Sequence, residues 1–140
     1  MQTIEAKKFR NVVACVLIKN EKILITSRPK IKTFAGFFEF PGGKVEKGEY
    51  LLEALEREMI EELGISLDFS KVFYLKKYKI HEQNIYLNFF LCLKWFGKIK
   101  NKERQKLKWI FPTELNNYNL LKSNESFISF LNDFIFPTAY

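Results

Sequence analysis

Residues 49–63 combine a helical repeat of apolar side chains with a glycine directly after them. Apolar residues that recur every three or four positions predict a helix with one face against a core, and Gly64 is suited to end such a helix. The fold must therefore supply other elements that cover this face. The side chains expected to face the core are Leu52, Leu55, Met59 and Leu63.

The same helix carries three acids close together. At roughly 100° per residue, Glu58, Glu61 and Glu62 fall within an arc of about 100°. Carboxylates at this spacing repel one another unless a cation neutralises them, and a set of hard oxygen ligands favours Mg²⁺ or Mn²⁺ over zinc. Arg57 lies four residues before Glu61 and can orient its carboxylate. The competing interpretation is a solvated acidic face without a ligand.

The rest of the chain alternates between strand-like and helix-like segments, which predicts an α/β layered domain with a mixed sheet. The length of 140 residues suits one domain, expected over residues 1–136, with a short C-terminal tail at 137–140. We expect strands at 9–19, 23–26, 37–40, 71–80, 85–95 and 107–111, a helical turn at 112–115 and a helix at 125–136, with the 37–40 strand stopped by Pro41-Gly42-Gly43.

Composition excludes several classes of protein. The longest apolar runs, 12–18 and 89–93, are far shorter than the roughly 20 residues of a membrane-spanning helix. The N-terminus lacks the pattern of a secretory signal, and Cys15 and Cys92 lie in apolar runs, so we expect buried free thiols in a cytoplasmic protein. The net charge of +7 favours polyanions such as nucleotides or nucleic acid.

Residues 43–65 match one longer pattern without exception: Gly, five residues, Glu, seven residues, Arg-Glu, an apolar residue, any residue, Glu-Glu, any residue, Gly and an apolar residue. In this pattern the chain resembles the Nudix hydrolases, which split the pyrophosphate linkage of nucleoside diphosphates joined to another group. The resemblance implies a Nudix-like α/β/α sandwich with a central mixed β-sheet. It also implies Mg²⁺, with Mn²⁺ as the alternative, and no organic cofactor.

The resemblance also implies roles for individual residues. Arg57 corresponds to the residue that orients the acids, and the water-activating base is either Glu58 or Glu103, since the family uses a box glutamate or one from a later loop. For Glu103, a place in a solvated charged loop is the alternative. The implied metal ligands are Gly42 through its carbonyl, Glu58, Glu61, Glu62 and Glu103.

A narrower resemblance, to MutT-type 8-oxo-dGTP pyrophosphohydrolases, covers nearly the whole chain. It rests on residues 25–28, on residues 38–44, on Glu103 six residues before Trp109, and on residues 123–125 at the start of the last helix. It implies that Asn124 reads the purine edge, with helix capping as the alternative. Arg28 contacts the nucleotide in this interpretation and is a solvated strand-end residue in the other. The implied substrate-binding residues are Arg28, Thr33, Glu39, Phe40, Pro41, Gly42 and Asn124.

The leading hypothesis is therefore a monomeric, Mg²⁺-dependent enzyme that hydrolyses 8-oxo-dGTP to 8-oxo-dGMP and pyrophosphate and so prevents mutagenic incorporation into DNA. No stable nucleic-acid complex and no membrane partner is expected. Two alternatives remain open. One is a Nudix hydrolase for another nucleotide, such as a pyrimidine triphosphate, a nucleoside diphosphate sugar or capped RNA. The other is a non-catalytic module that binds nucleotides or nucleic acid.

Overall fold

The computed structural model describes residues 8–28 and 36–136. Thr33 and the tail at 137–140 lie outside the described residues. Along the chain the elements are β1 (Arg10–Lys19), β2 (Lys22–Ser27), β3 (Phe38–Glu39), β4 (Gly42–Lys44), α1 (Leu51–Leu63), β5 (Ser66–Leu67), β6 (Val72–Ile80), β7 (Ile85–Cys92), β8 (Trp95–Phe96), β9 (Leu107–Ile110) and α2 (Glu125–Phe130).

A mixed sheet forms the centre of the molecule. Its strands run in the order β3-β2-β1-β7-β6, with β4 also paired to β1 and β9 to β2. β1 is parallel to β7 and antiparallel to β2 and β4. β5 and β8 form a separate antiparallel pair. The predicted α/β architecture with a mixed sheet is confirmed.

Side chains of β1 alternate between two hydrophobic clusters, because successive residues of a strand point to opposite faces of a sheet. Val13 and Cys15 belong to the cluster under α1, whereas Ala14 and Val16 belong to the cluster under α2. The two helices thus cover opposite faces and produce the α/β/α layering. The α1 cluster includes Leu24, Ala54, Leu55, Met59 and Leu63, and the α2 cluster includes Ile23, Ile25, Phe40, Phe89 and Phe127.

Two further expectations can be compared with the structure. Cys15 and Cys92 are free and buried, as predicted. Within the described parts of the chain, no helix is long and apolar enough to cross a membrane.

The strand expected over residues 37–40 ends before Pro41 as predicted, since β3 covers Phe38–Glu39. The sequence did not predict β4, in which Gly42 and Gly43 pair with Ala14 and Val13 of β1. A side chain at Gly42 would overlap the backbone of Val13, so glycine permits a close approach of two strands here.

Two other boundaries also differ from expectation. The strand expected over residues 85–95 ends at Cys92, and Trp95 and Phe96 leave the main sheet to pair with β5 as β8. The helix expected over residues 125–136 is α-helical only to Phe130 and continues as a π-helical turn over Leu131–Ile135.

The prediction for α1 holds except in its first turn. The helix ends at Gly64, whose φ of 68° is left-handed and whose N–H donates to the Ile60 carbonyl. Leu52 does not face the core, because it is 43% exposed and borders an open groove beside Ile60. Leu51 packs on the core cluster in the first turn instead.

Candidate active site

A cavity of about 690 Å³ opens where α1, β1 and β4 meet. This volume lies in the range of ordinary small-molecule sites. Acids line one part of the wall, and apolar and amide side chains line another. The lining includes Glu58, Glu61, Glu62 and Glu103 on the acidic side, Arg28, Glu39 and Gln105 beside them, and Phe40, Gln83, Leu121, Ser123 and Asn124 toward the other side.

Glu62 is the buried acid of this wall, with 4% of its surface exposed. Its Oε2 accepts a hydrogen bond from Gly42 N–H at 3.2 Å, and its Oε1 lies 3.5 Å from the Thr26 hydroxyl, which donates to it. Burial first, and then the charges of Glu103 and Glu39, raise the pKa of Glu62 to about 8. A carboxyl held in this state ionises at neutral pH when a cation approaches.

Glu58 stands next to Glu62 on the same wall. Burial raises its pKa, and the neighbouring Arg57 opposes that shift. The charges of Glu61 and Glu103 act in the same direction as burial. Glu58, Glu61, Glu62 and Glu103 therefore repel one another in the folded structure.

Arg57 does not line the cavity, and its guanidinium group donates hydrogen bonds to three acids. Its Nε and Nη2 donate to the two carboxylate oxygens of Glu49 at 2.8 and 2.9 Å. Its Nη1 donates to Glu58 at 3.0 Å and to Glu61 at 3.3 Å, and Nη2 also reaches the Lys44 carbonyl at 2.9 Å. The sequence spacing predicted the contact of Arg57 with Glu61 but not its two hydrogen bonds to Glu49. The hydrogen bonds from Arg57 lower the pKa of the Glu49 carboxyl to about 2.

Gly42 presents its backbone to Glu62. Gly42 donates its N–H to Glu62 and not to β1. In an antiparallel pair the N–H and C=O of one residue point to the same side, so the Gly42 carbonyl is also directed away from β1, toward the acids.

Gly43 lies against the acids as well. A Cβ at this position would overlap the carboxyl group of Glu58. We expect Gly43→Ala to displace that flexible carboxylate while β4 stays paired, because the clash involves a side-chain end and not backbone. Unfolding free energy should change by about 1 kcal/mol, whereas turnover should fall roughly 100-fold, as for a misplaced catalytic group.

Thermal melting and steady-state kinetics check this expectation. Gly42→Ala is the comparison, since its Cβ would overlap strand backbone and should destabilise the whole fold. Wild-type turnover in a folded Gly43→Ala protein would contradict the placement of Glu58 in the reaction.

The side of the cavity away from the acids contains the residues expected to meet the base. Phe40 is 3% exposed and packs edge-on against Phe127. Asn124 lines the cavity, is 4% exposed, and donates to the Ser123 hydroxyl at 3.1 Å. It occupies the N-cap position of α2, but its side chain makes no capping hydrogen bond there.

Arg28 and Glu39 line the cavity as a pair. An Arg28 Nη1 lies 3.0 Å from a Glu39 carboxylate oxygen, and both side chains are about three-quarters buried. Arg28 is therefore not a solvated strand-end residue. Pro41 is buried, does not line the cavity, and offers its carbonyl to the amide of Cys15.

Sequence reasoning gave no role to four residues that the structure brings to this site: Thr26, Glu49, Gln83 and Gln105. Only Glu49 carried a signal, since it is a fixed position of the 43–65 pattern. Thr26 and Gln105 come to the site through the pairing of β2 and β9, and Gln83 through the turn between β6 and β7, which a linear motif does not report.

The donor set at the acidic wall matches a hard divalent cation: four carboxylates, of which Glu62 is buried, and a backbone carbonyl directed toward them. Within residues 8–28 and 36–136, no three acidic, histidine or cysteine side chains already converge on one point. Binding of a cation therefore requires the carboxylates to rotate toward it.

The fold is a sheet covered by helices on both faces, with helix-borne carboxylates beside a ligand-sized cavity, which is the layout of an α/β enzyme site. Residues 8–131 match the NUDIX domain, and the chain belongs to this family. It is a Nudix hydrolase, and members of the family generally use divalent cations.

Individual relatives cover most of the chain. The 8-oxo-dGTP diphosphatase of Buchnera aphidicola subsp. Schizaphis graminum is 38% identical over 129 residues, which are 92% of this chain and 98% of the relative. The CTP pyrophosphohydrolase of Escherichia coli K12 is 34% identical over 113 residues, 81% of this chain and 84% of the relative. A solved structure from work on MutT of Aliivibrio salmonicida and Vibrio cholerae is similar with a TM-score of 0.77 and 30% identity, covering 89% of this chain and 97% of that one.

Proposed function

We propose that this Nudix hydrolase cleaves 8-oxo-dGTP to 8-oxo-dGMP and pyrophosphate and so keeps the oxidised nucleotide out of DNA. One observation carries the proposal: a single cavity has the acids of the 43–65 pattern on one side and the buried Asn124 on the other. A nucleotide can then lay its phosphates along the acids and its base against the amide. Similarity to 8-oxo-dGTP diphosphatases over most of the chain supports this substrate.

Mg²⁺ is the proposed cation, with Mn²⁺ as a substitute, held by Glu58, Glu61, Glu62, Glu103 and the Gly42 carbonyl. When bound, it would supply charge neutralisation of the phosphates and a lower pKa for the attacking water. Glu58 or Glu103 accepts the proton of that water as its oxygen adds to phosphorus and the P–O bond that joins the α- and β-phosphates breaks, which leaves the nucleoside monophosphate and pyrophosphate. Arg57 positions the acids and does not touch the substrate.

The base is proposed to lie against Phe40 and Asn124, with Arg28 and Glu39 between base and phosphates. Asn124 offers a donor and an acceptor together, which suits a purine edge. We further propose that Thr33 belongs to this wall, that residues 1–136 act as one cytoplasmic, monomeric domain, and that the enzyme forms no stable nucleic-acid complex. No organic cofactor takes part.

The Asn124→Ala variant tests the base-reading role. We expect the ratio of kcat/KM for 8-oxo-dGTP over that for dGTP to fall roughly tenfold, because about 1.4 kcal/mol of discrimination corresponds to one bidentate contact. Titration with Mn²⁺ should show unchanged cation binding. Asn117→Ala, an exposed asparagine outside the cavity, is the matched control. An unchanged ratio in Asn124→Ala would remove this residue from recognition.

A pyrimidine triphosphate is the second candidate substrate, favoured by the similarity to the E. coli CTP pyrophosphohydrolase. Gln83 lines the cavity in the hairpin turn where MutT proteins commonly carry a basic residue, which is a further difference from the purine enzymes. A higher kcat/KM for CTP or dCTP than for 8-oxo-dGTP would decide for this candidate.

A further inference from the structure

Gln105 has a buried polar atom that the protein leaves without a partner. The residue is 7% exposed and lines the cavity, and its side-chain Oε1 has no hydrogen-bond donor within the described residues. An unpaired buried acceptor costs about 1 to 3 kcal/mol. Such an atom in a cavity wall indicates a donor that arrives with a ligand.

The backbone around Gln105 is fixed on both sides. The Asn101 side chain accepts from the Gln105 N–H at 2.9 Å and donates to the Gln105 carbonyl. The next residue, Lys106, exchanges hydrogen bonds with Ser27: its N–H donates to the Ser27 hydroxyl, and its carbonyl accepts from the Ser27 N–H. The backbone that carries the Gln105 side chain is therefore held in place before any ligand binds.

Strand register shows which part of the cavity Gln105 faces. β2 and β9 pair Thr26 with Leu107, and Leu107 packs on the α1 side of the sheet. Gln105 precedes β9, but the hydrogen bonds between Ser27 and Lys106 continue the pairing of β2 and β9 toward it. Two residues before Leu107, Gln105 is therefore placed on the same side as Leu107 and Thr26. The Thr26 hydroxyl contacts Glu62, so Gln105 belongs to the acidic end of the cavity, under α1, and not to the Asn124 end.

We infer that Gln105 Oε1 accepts a hydrogen bond from a hydration water of the divalent cation and so positions that cation's shell. The inference rests on the proposed function, because it requires a cation at the acidic wall. Phosphates and ionised carboxylates, the state of the acids once a cation is bound, offer acceptors and no donors, whereas cation-held water offers donors only. Mg²⁺ keeps several of its waters in protein sites, and each needs an acceptor.

The test is Mn²⁺ binding to the full chain without nucleotide, measured by electron paramagnetic resonance and by calorimetry. Gln105→Met removes the acceptor and keeps the length of the side chain. We expect its Mn²⁺ affinity to fall about tenfold, the usual loss when a partner of a metal's ligands is removed. Asn117→Ala, which removes an exposed side-chain amide outside the cavity, should bind as the wild type does.

Three outcomes would count differently. Wild-type affinity in Gln105→Met overturns the inference and leaves the proposed function intact. Failure of the wild-type chain itself to bind Mn²⁺, with Glu62→Gln no different, contradicts the proposed function. The third result is a Gln105→Met protein with normal Mn²⁺ affinity, a raised KM for dGTP and an unchanged KM for 2′,3′-dideoxy-GTP. This result would assign Gln105 to the sugar hydroxyl and would also overturn the inference.

Discussion

Glu62→Gln is expected to lower kcat roughly 1000-fold at saturating nucleotide and Mg²⁺. Glu62 is the buried acid that faces the cavity between Gly42 and Thr26, and a glutamine there cannot neutralise a cation. Loss of several kcal/mol of charge stabilisation corresponds to about three powers of ten in rate. Initial rates of pyrophosphate release across a range of Mg²⁺ concentrations measure the effect.

The fold should survive this substitution. Burial already raises the pKa of Glu62 to about 8, so glutamine replaces a carboxyl that is mostly protonated at neutral pH. Glu53→Gln is the control on the same helix: Glu53 is exposed and accepts from the Tyr50 N–H, a bond that glutamine also makes. Near-normal turnover in folded Glu62→Gln would contradict a catalytic role for the acidic wall.

Arg57→Lys is expected to lower kcat roughly 100-fold although the charge is kept. Arginine donates at once to Glu49, Glu58 and Glu61 through a planar fork, and lysine cannot reproduce that geometry. Carboxylates released from this fork lose their orientation, and misplacement by about 1 Å costs up to two powers of ten in rate. The substitution should also weaken Mn²⁺ binding. If the variant melts at the wild-type temperature, weaker Mn²⁺ binding cannot be explained by a loss of folded protein.

Arg10→Lys serves as the control for this change. Arg10 is an exposed residue at the start of β1, and lysine there should leave kcat and Mn²⁺ binding unaltered. Wild-type kinetics in Arg57→Lys would show that the acids keep their orientation without the guanidinium group. Glu49→Gln should reproduce part of the Arg57→Lys loss, because it removes the charge of the acid that Arg57 contacts twice.

Local signals in the sequence predicted α1 and its acidic face well. The apolar repeat and the terminal Gly64 act within a few turns of one helix, so they can be recognised without knowledge of the partners. At Gly42 and Gly43 the same reasoning explained only part of the structure. A glycine pair after a proline is typical of a strand end, as found after β3, but only the approach of Val13 and Glu58 shows why these positions have no side chain.

Contacts between distant segments could not be predicted from one sequence. Thr26 and Gln105 reach the acidic wall because β2 pairs with β9, and nothing local to either residue reports that pairing. Asn124 was singled out through resemblance alone, and its burial in the cavity depends on how the segment before α2 packs. Leu52 follows the helical repeat yet lies at the margin of the core.

The most direct test of the account is product analysis with the wild-type chain, Mg²⁺ and 8-oxo-dGTP, followed by chromatography of the nucleotide and quantification of pyrophosphate. We expect 8-oxo-dGMP and pyrophosphate in equal amounts, no release of single phosphate, higher kcat/KM than for dGTP or CTP, and loss of the reaction on chelation of the cation. Release of orthophosphate, or turnover that continues without a divalent cation, would contradict the account.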